Sequence, residues 1–185
     1  MDGGLNFPMT RCVTDYLVQE HQELSLLLNE LQEQLGVLRL ARDRRTTAER
    51  LTGLRRKISQ ALRTHVGEEE QILYPALEEH VQGITFTLDR MRHEHDAGAQ
   101  TGKPFTESLE RLLAGTGNPK EVMQSGRRYI TWLRHHLLEE NGRLFPMVER
   151  GLDPETQQAV RRAMEEMGQE PSARVVEGQA HTAHA

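Results

Sequence analysis

The sequence has few of the features that mark secreted, membrane-spanning or nucleic-acid-binding proteins. It contains one cysteine, Cys12, which cannot form an internal disulfide, so a reducing cytoplasm is the expected location. It has no apolar run of about 18 residues, the length that a membrane helix needs, and Met1 to Thr10 lack the basic-then-apolar pattern of a signal peptide. With a net charge of −5, no basic face for nucleic acid is expected.

Aromatic residues are also scarce, at 4% of the 185 residues, whereas charged residues reach 28%. Leu and Ala outnumber β-branched and aromatic residues, a mixture that favours amphipathic helices over strands. The length fits one domain with tails. We therefore expect a flexible arm over residues 1–12, one helical domain over residues 13–167 and a disordered tail over residues 168–185.

Apolar residues recur every three or four positions, which is the period of helices packed on a common core. The expected helices cover about residues 15–42, 47–70, 84–115 and 119–146, with a short fifth helix over 154–167. Thr14 and Thr47 are candidate N-caps. Pro75 and Pro146 should bend or end their helices, and Pro104 should kink or break the third. The expected fold is an all-α, up-down-up-down four-helix bundle with a short C-terminal fifth helix.

An internal repeat contains most of the polar residues that fall on the apolar stripes. The dipeptide Glu20-His21 recurs as Glu94-His95, and residues 65–75 (HVGEEEQILYP) recur as residues 136–146 (HLLEENGRLFP). In both copies of the longer segment, a glutamate follows the histidine at the fourth position, and an aromatic residue precedes the proline. A repeat of this length indicates a duplicated helical hairpin.

The spacing within each repeat indicates a metal site. Residues four apart lie on one face of a helix, so each His-x-x-x-Glu directs an imidazole and a carboxylate into the same core. A buried carboxylate without a partner is costly, whereas helical bundles commonly bury carboxylates and histidines around two metals. Without cysteine in the set, iron, manganese or zinc is favoured. The candidate metal ligands are His21, His65, Glu69, His95, His136 and Glu140.

Neighbouring residues leave some alternatives open. Glu68 and Glu139 are rival carboxylates, because a residue three positions after the histidine also reaches its face. We expect Glu20 and Glu94 to face solvent or neighbouring helices. The remaining helical histidines are expected on the surface, and Tyr129 and Trp132 in the core or at the edge of the bundle.

In its paired Glu-His and His-x-x-x-Glu motifs with a following aromatic-Pro, the chain resembles the hemerythrin-like HHE cation-binding family over about residues 14–150. The resemblance implies two iron ions, bridged by the two glutamates and an oxo or hydroxo oxygen, with the six candidate residues as ligands. One position departs from the oxygen-carrying members of the family, which have a second histidine four residues before His95. Met91 occupies that position here.

The resemblance suggests a protein that binds or senses O2, NO or peroxide, in stress response or iron handling. Two alternatives stay open. One is a di-iron enzyme for NO reduction, peroxide breakdown or repair of iron–sulfur clusters. The other is a non-catalytic interaction protein whose metals only brace the bundle. No membrane or nucleic-acid partner is expected under any of these hypotheses.

Overall fold

The computed structural model describes residues 12–169, and this part of the chain is helical with no β-strand. Nearly all of the expected arm and tail lies outside the described residues. None of the described helices is long and apolar enough to cross a membrane. The helices are α1 (Val13–Leu40), α2 (Arg44–Glu68), α3 (Tyr74–His80), α4 (Thr85–Leu113), α5 (Pro119–Glu139), α6 (Phe145–Gly151) and α7 (Pro154–Gln169), with π-helical turns at Glu69–Leu73 and Glu140–Leu144.

The long helices enclose a common core. Helix α1 packs on α2 and α5, and α4 packs on the same two helices from the other side. Two apolar clusters fill the core: Leu17 of α1 belongs to one, and Leu24 of the same helix belongs to the other. His21 lies between them on the same buried face. Apolar packing on both sides therefore holds the polar residues in the middle of the bundle, away from water.

Both predicted threonine caps are wrong. Helix α1 begins at Val13 with Cys12 as its N-cap, and the Asp15 carboxylate accepts the backbone N–H of Cys12 at 3.0 Å. Helix α2 begins after Asp43, whose carboxylate accepts the Thr46 backbone N–H at 3.1 Å. In both cases an aspartate satisfies a free N–H at the helix start, so each helix begins earlier than the threonines suggested.

None of the three prolines ends its helix. Pro75 and Pro146 each follow a π-helical turn, in which the N–H of the preceding aromatic residue bonds to a carbonyl five residues back. The wider turn moves away the carbonyl with which a proline ring clashes in an α-helix, so the helical path continues. Pro104 lies inside α4, which runs unbroken. Packing against α2 and α5 holds this helix together despite one missing hydrogen bond.

We expect Gly98→Ala to destabilise the fold, because Gly98 makes room for an indole. A Cβ at position 98 would overlap the ring of Trp132, and overpacking of this kind costs about 1–3 kcal/mol. The matched control is Gly53→Ala in α2, where a Cβ meets nothing within 4 Å and better helix propensity should add about 0.5–1 kcal/mol. Urea unfolding of both variants measures the difference. Equal effects of the two substitutions would contradict this account of Gly98.

Candidate metal centre

The structure brings all six predicted ligand residues together in the middle of the bundle. His21 comes from α1, His65 from α2, His95 from α4 and His136 from α5, and the two glutamates begin the two π-helical turns. None of the six side chains is more than 5% exposed. The site is therefore a closed polar cluster inside an apolar core, and its charges must be balanced within the protein.

The four histidines form two pairs. The Nε2 atoms of His21 and His65 are 3.2 Å apart, and the rings of His95 and His136 lie edge to face with centroids 5.0 Å apart. The first pair combines both histidine-bearing helices of the first sequence repeat, and the second pair combines those of the second repeat. Each half of the chain thus supplies one pair.

Glu140 lies between the two pairs and directs one oxygen to each. Its Oε2 is 3.2 Å from His21 Nε2 and 3.5 Å from His65 Nε2. Its Oε1 is 3.6 Å from His95 Nε2 and 3.0 Å from His136 Nε2. With the ligand atoms of each group within 4.8 Å of one another, Glu140 completes two three-residue groups that could each hold a cation.

Glu69 spans the same two pairs from the opposite repeat. Its Oε1 is 3.8 Å from His65 Nε2, and its Oε2 is 3.4 Å from His95 Nε2. The hydroxyl of Tyr74 donates a hydrogen bond to Glu69 Oε2 at 3.2 Å. Each carboxylate is the first residue of a π-helical turn, an irregularity that is rare in helices and frequent at functional sites.

Glu20 and Glu94 each precede one histidine of a pair in the sequence and contact the outer nitrogen, Nδ1, of the other histidine of that pair. Glu20 Oε2 accepts from His65 Nδ1 at 3.0 Å, and Glu94 Oε2 lies 3.5 Å from His136 Nδ1. Glu20 and Glu94 therefore face neighbouring helices, which is one of the two orientations expected from the sequence. A residue next to an inward-facing histidine points about 100° away around the helix, toward the neighbouring helix that carries the other histidine of the pair.

Glu70 and Asn141, which directly follow Glu69 and Glu140, form hydrogen bonds with the other two histidines. The sequence analysis did not predict these contacts. Glu70 Oε1 accepts from His95 Nδ1 at 2.6 Å, and Asn141 Oδ1 accepts from His21 Nδ1 at 3.2 Å. Both contacts place an acceptor at the outer nitrogen, Nδ1, and leave Nε2 to face the cluster. Outer contacts of this kind orient metal-binding histidines. Glu70 and Asn141 occupy equivalent positions in the two repeats, and this equivalence was the sequence feature that could have identified them.

The cluster is strongly coupled electrostatically. Burial alone would lower the pKa of His95, but the nearby carboxylates of Glu140 and Glu69 outweigh it and raise the pKa to about 10. Burial would likewise raise the pKa of Glu140, but the four surrounding histidines hold it well below its usual range. Glu140 thus stays charged and attracts positive charge to the imidazoles, whether protons or metal ions supply it.

The inner atoms of the cluster fit a cation. Glu69 Oε1, Glu140 Oε1, His95 Nε2 and His136 Nε2 are buried without a hydrogen-bond partner. Native proteins rarely leave such atoms unsatisfied unless an ion or water completes the site. Imidazole and carboxylate donors without thiolate suit iron, manganese or zinc. The donor chemistry and the unpartnered atoms therefore both fit two metal ions.

The rival carboxylates make other contacts. Glu68 is buried and accepts from the Tyr16 hydroxyl at 3.1 Å, and burial, with the charge of Glu20, raises its pKa to about 8. Glu139 lies 3.0 Å from the Arg143 guanidinium and also pairs with Arg90. Neither belongs to the groups that could hold a metal. The remaining helical histidines, His80, His93 and His135, are exposed.

Aromatic residues pack against the histidines and make the two ends of the site different. Tyr74 stacks on His95 at 6.1 Å, whereas its counterpart Phe145 packs on His21 at 5.0 Å and has no hydroxyl for Glu140. Trp132 stacks on His136 at 5.3 Å. A cavity of about 440 Å³ lined by Trp132 reaches His95. The second histidine pair is therefore the more accessible one.

Fold and site together define a helical protein whose core holds a histidine–glutamate cluster able to bind cations. The family described as hemerythrin HHE cation binding domain matches residues 12–148, and the chain belongs to this family. No curated protein sequence matches the chain significantly. The family membership agrees with the resemblance seen in the repeated motifs.

Proposed function

We propose that the chain is a di-iron protein in which His21 and His65 bind one iron and His95 and His136 bind the other. Glu69 and Glu140 bridge the two ions, together with an oxo or hydroxo oxygen. The long helices run up-down-up-down around this centre. The contacts of α1 and α4 with both α2 and α5, and the short connections between consecutive helices, support this topology.

One observation supports the proposal above all others. Both buried carboxylates lie between the two histidine pairs, and four inward atoms of the cluster lack partners. A single ion placed at one pair would leave the other pair and one oxygen of each carboxylate unsatisfied. Two ions satisfy both pairs with the same two bridging carboxylates, as in other helical di-metal proteins.

The proposed task is to bind or sense O2, NO or peroxide in stress response or iron handling. The cavity that reaches His95 supports entry of a small ligand at the second pair. A cytoplasmic location belongs to this proposal, because the chain's single cysteine suits a reducing compartment. Optical spectra of the reduced, iron-loaded protein with each ligand test this task. Unchanged spectra with all three would refute it.

A second candidate is a di-iron enzyme for NO reduction, peroxide breakdown or repair of iron–sulfur clusters. The cavity volume of about 440 Å³ leaves room for the two NO molecules that one reduction to N2O consumes. Turnover assays with NO and with peroxide separate an enzyme from a binder. If the protein neither binds nor turns over any of these ligands, the metals only stabilise the bundle, as in the non-catalytic alternative.

Glu20→Ala is expected to weaken metal binding without removing a ligand. The substitution deletes the acceptor of the His65 Nδ1 proton, and loss of such a contact typically costs about 10–100-fold in metal affinity. Glu23→Ala, at an exposed position one turn along α1, is the matched control. Competition with a coloured chelator measures both affinities. Glu20→Ala binding as tightly as Glu23→Ala would show that this contact does not orient His65.

Met91 leads to a prediction about oxygen. The side chain is fully buried among apolar residues, so it supplies no imidazole at the position where the oxygen carriers have one. We expect air to oxidise the reduced, iron-loaded protein permanently, whereas NO should bind its reduced form. Met91→His is expected to shift the behaviour toward reversible oxygen binding. Recovery of the reduced spectrum of the unaltered chain on degassing would contradict this prediction.

A further inference from the structure

The cavity beside the metal centre is much larger than a diatomic ligand requires. It lies between α2, α4 and α5, has a volume of about 440 Å³ and ends at His95. A diatomic molecule fills about the space of one water, roughly 30 Å³. Cavities of roughly 300–1,000 Å³ with apolar walls and a few polar groups typically hold small organic molecules. The size therefore points to an organic ligand.

The charges of the cavity select for an anion. Arg55 and Arg63 of α2 line it, and none of its lining residues is acidic. Neither arginine forms a salt bridge with any residue that the structure describes, although the whole chain carries a net charge of −5. Two arginines without a carboxylate partner in an acidic protein leave a local positive potential that attracts anions.

Two buried donors in the cavity wall lack an acceptor. The Tyr129 side chain is 1% exposed, and neither its hydroxyl nor Arg55 Nε has a hydrogen-bond partner among the described residues. The Arg55 guanidinium lies over the Tyr129 ring, 4.5 Å from its centroid. Burial raises the pKa of Tyr129, although Arg55 opposes the shift, so the hydroxyl keeps its proton as a donor.

Much of the remaining wall is apolar, with Leu62, Val66 and Trp132 among its residues. We propose that this cavity binds a small organic carboxylate, whose oxygens accept from Arg55 and Tyr129 and whose apolar body packs against Leu62, Val66 and Trp132. A carboxylate has two oxygens, and a guanidinium binds them with strong, charge-assisted hydrogen bonds. The proposal does not rest on the iron assignment, because every contact comes from the protein.

Calorimetric titration of the full-length, iron-loaded chain with cyclohexanecarboxylate tests the proposal. The neutral, equally sized cyclohexanecarboxamide is the matched ligand, and the emission of Trp132, the chain's single tryptophan, reports occupancy of the cavity. We expect saturable binding of the carboxylate, at least about tenfold tighter than that of the amide, as loss of one charged hydrogen bond implies.

Substitutions identify the binding residues. Arg55→Gln should weaken carboxylate binding at least about tenfold, whereas Arg56→Gln, at the exposed neighbouring position, should leave it unchanged. Tyr129→Phe keeps the ring beneath Arg55 and should weaken binding several-fold. If the circular dichroism of Arg55→Gln shows that this variant does not fold, the affinity of Tyr129→Phe for the carboxylate tests the proposal instead.

Three outcomes would overturn the proposal. The first is that the amide binds as tightly as the carboxylate, and the second is that the carboxylate does not bind at all. The third is that Arg55→Gln and Tyr129→Phe bind the carboxylate like the unaltered chain while the optical spectrum of the iron changes. That result would place the carboxylate on the metal rather than on Arg55. None of these outcomes bears on how many metal ions the chain holds.

Discussion

Glu140→Gln is expected to remove both metal ions from the chain, not only one. The two oxygens of Glu140 face different histidine pairs, so one substitution damages both groups that could hold a cation. Glutamine keeps one oxygen, but its uncharged NH2 group cannot accept or coordinate. The loss of affinity should exceed the roughly 10–100-fold typical of a lost outer contact. Elemental analysis after dialysis against a weak chelator measures the effect.

The neighbouring Glu139→Gln is the control for this experiment. Glu139 pairs with Arg90 and Arg143 outside the cluster, so its removal should leave metal content unchanged, and loss of these partly exposed ion pairs should alter stability only modestly. If Glu140→Gln still retains one metal ion per chain after dialysis, the carboxylate does not bridge the pairs, and the two groups bind metal independently.

Removal of the metal should lower the melting temperature by about 10–20 °C. Each ion present at about 100 times its dissociation constant contributes about 2.7 kcal/mol, and each kcal/mol shifts a chain of this size by about 2–4 °C. The physical reason is the pair of fully buried carboxylates, which face converging imidazole nitrogens and, without metal, depend on protons for balance. Differential scanning calorimetry before and after chelation measures the shift.

Glu140→Gln also provides the control for the melting experiment. If stabilisation comes from the proposed site, chelation should not change the melting temperature of this variant. A similar drop in the variant would show that the chelator acts elsewhere on the protein. An unchanged melting curve of the unaltered chain, after verified removal of metal, would show that the site is not coupled to folding.

The sequence predicted the positions of the inward-facing residues because helical periodicity and the repeat fix which side chains share a face. His21, His65, His95 and His136 all fall on the apolar stripes, so helices alone bring them inward. The pairing of the four histidines, and the spanning position of Glu69 and Glu140, depend on how α1, α2, α4 and α5 pack. No pattern within a single helix contains that information.

The sequence reasoning failed where backbone irregularity or contacts between helices decide the outcome. Helix continues past Pro75 because of a π-helical turn, an irregularity that local rules for proline do not foresee. Glu70 and Asn141 were overlooked because their histidine partners lie on other helices. The sequence likewise does not show that the Arg55 guanidinium lies over the buried Tyr129 ring, because the two residues belong to different helices.

X-ray diffraction from crystals of the iron-loaded chain, measured at the iron absorption edge, tests the central claim most directly. The anomalous map locates each iron without assumptions about its ligands. We predict two iron peaks, one beside His21 and His65 and one beside His95 and His136, with Glu69 and Glu140 contacting both. A single peak in well-loaded crystals, or two peaks that share neither glutamate, would contradict the account.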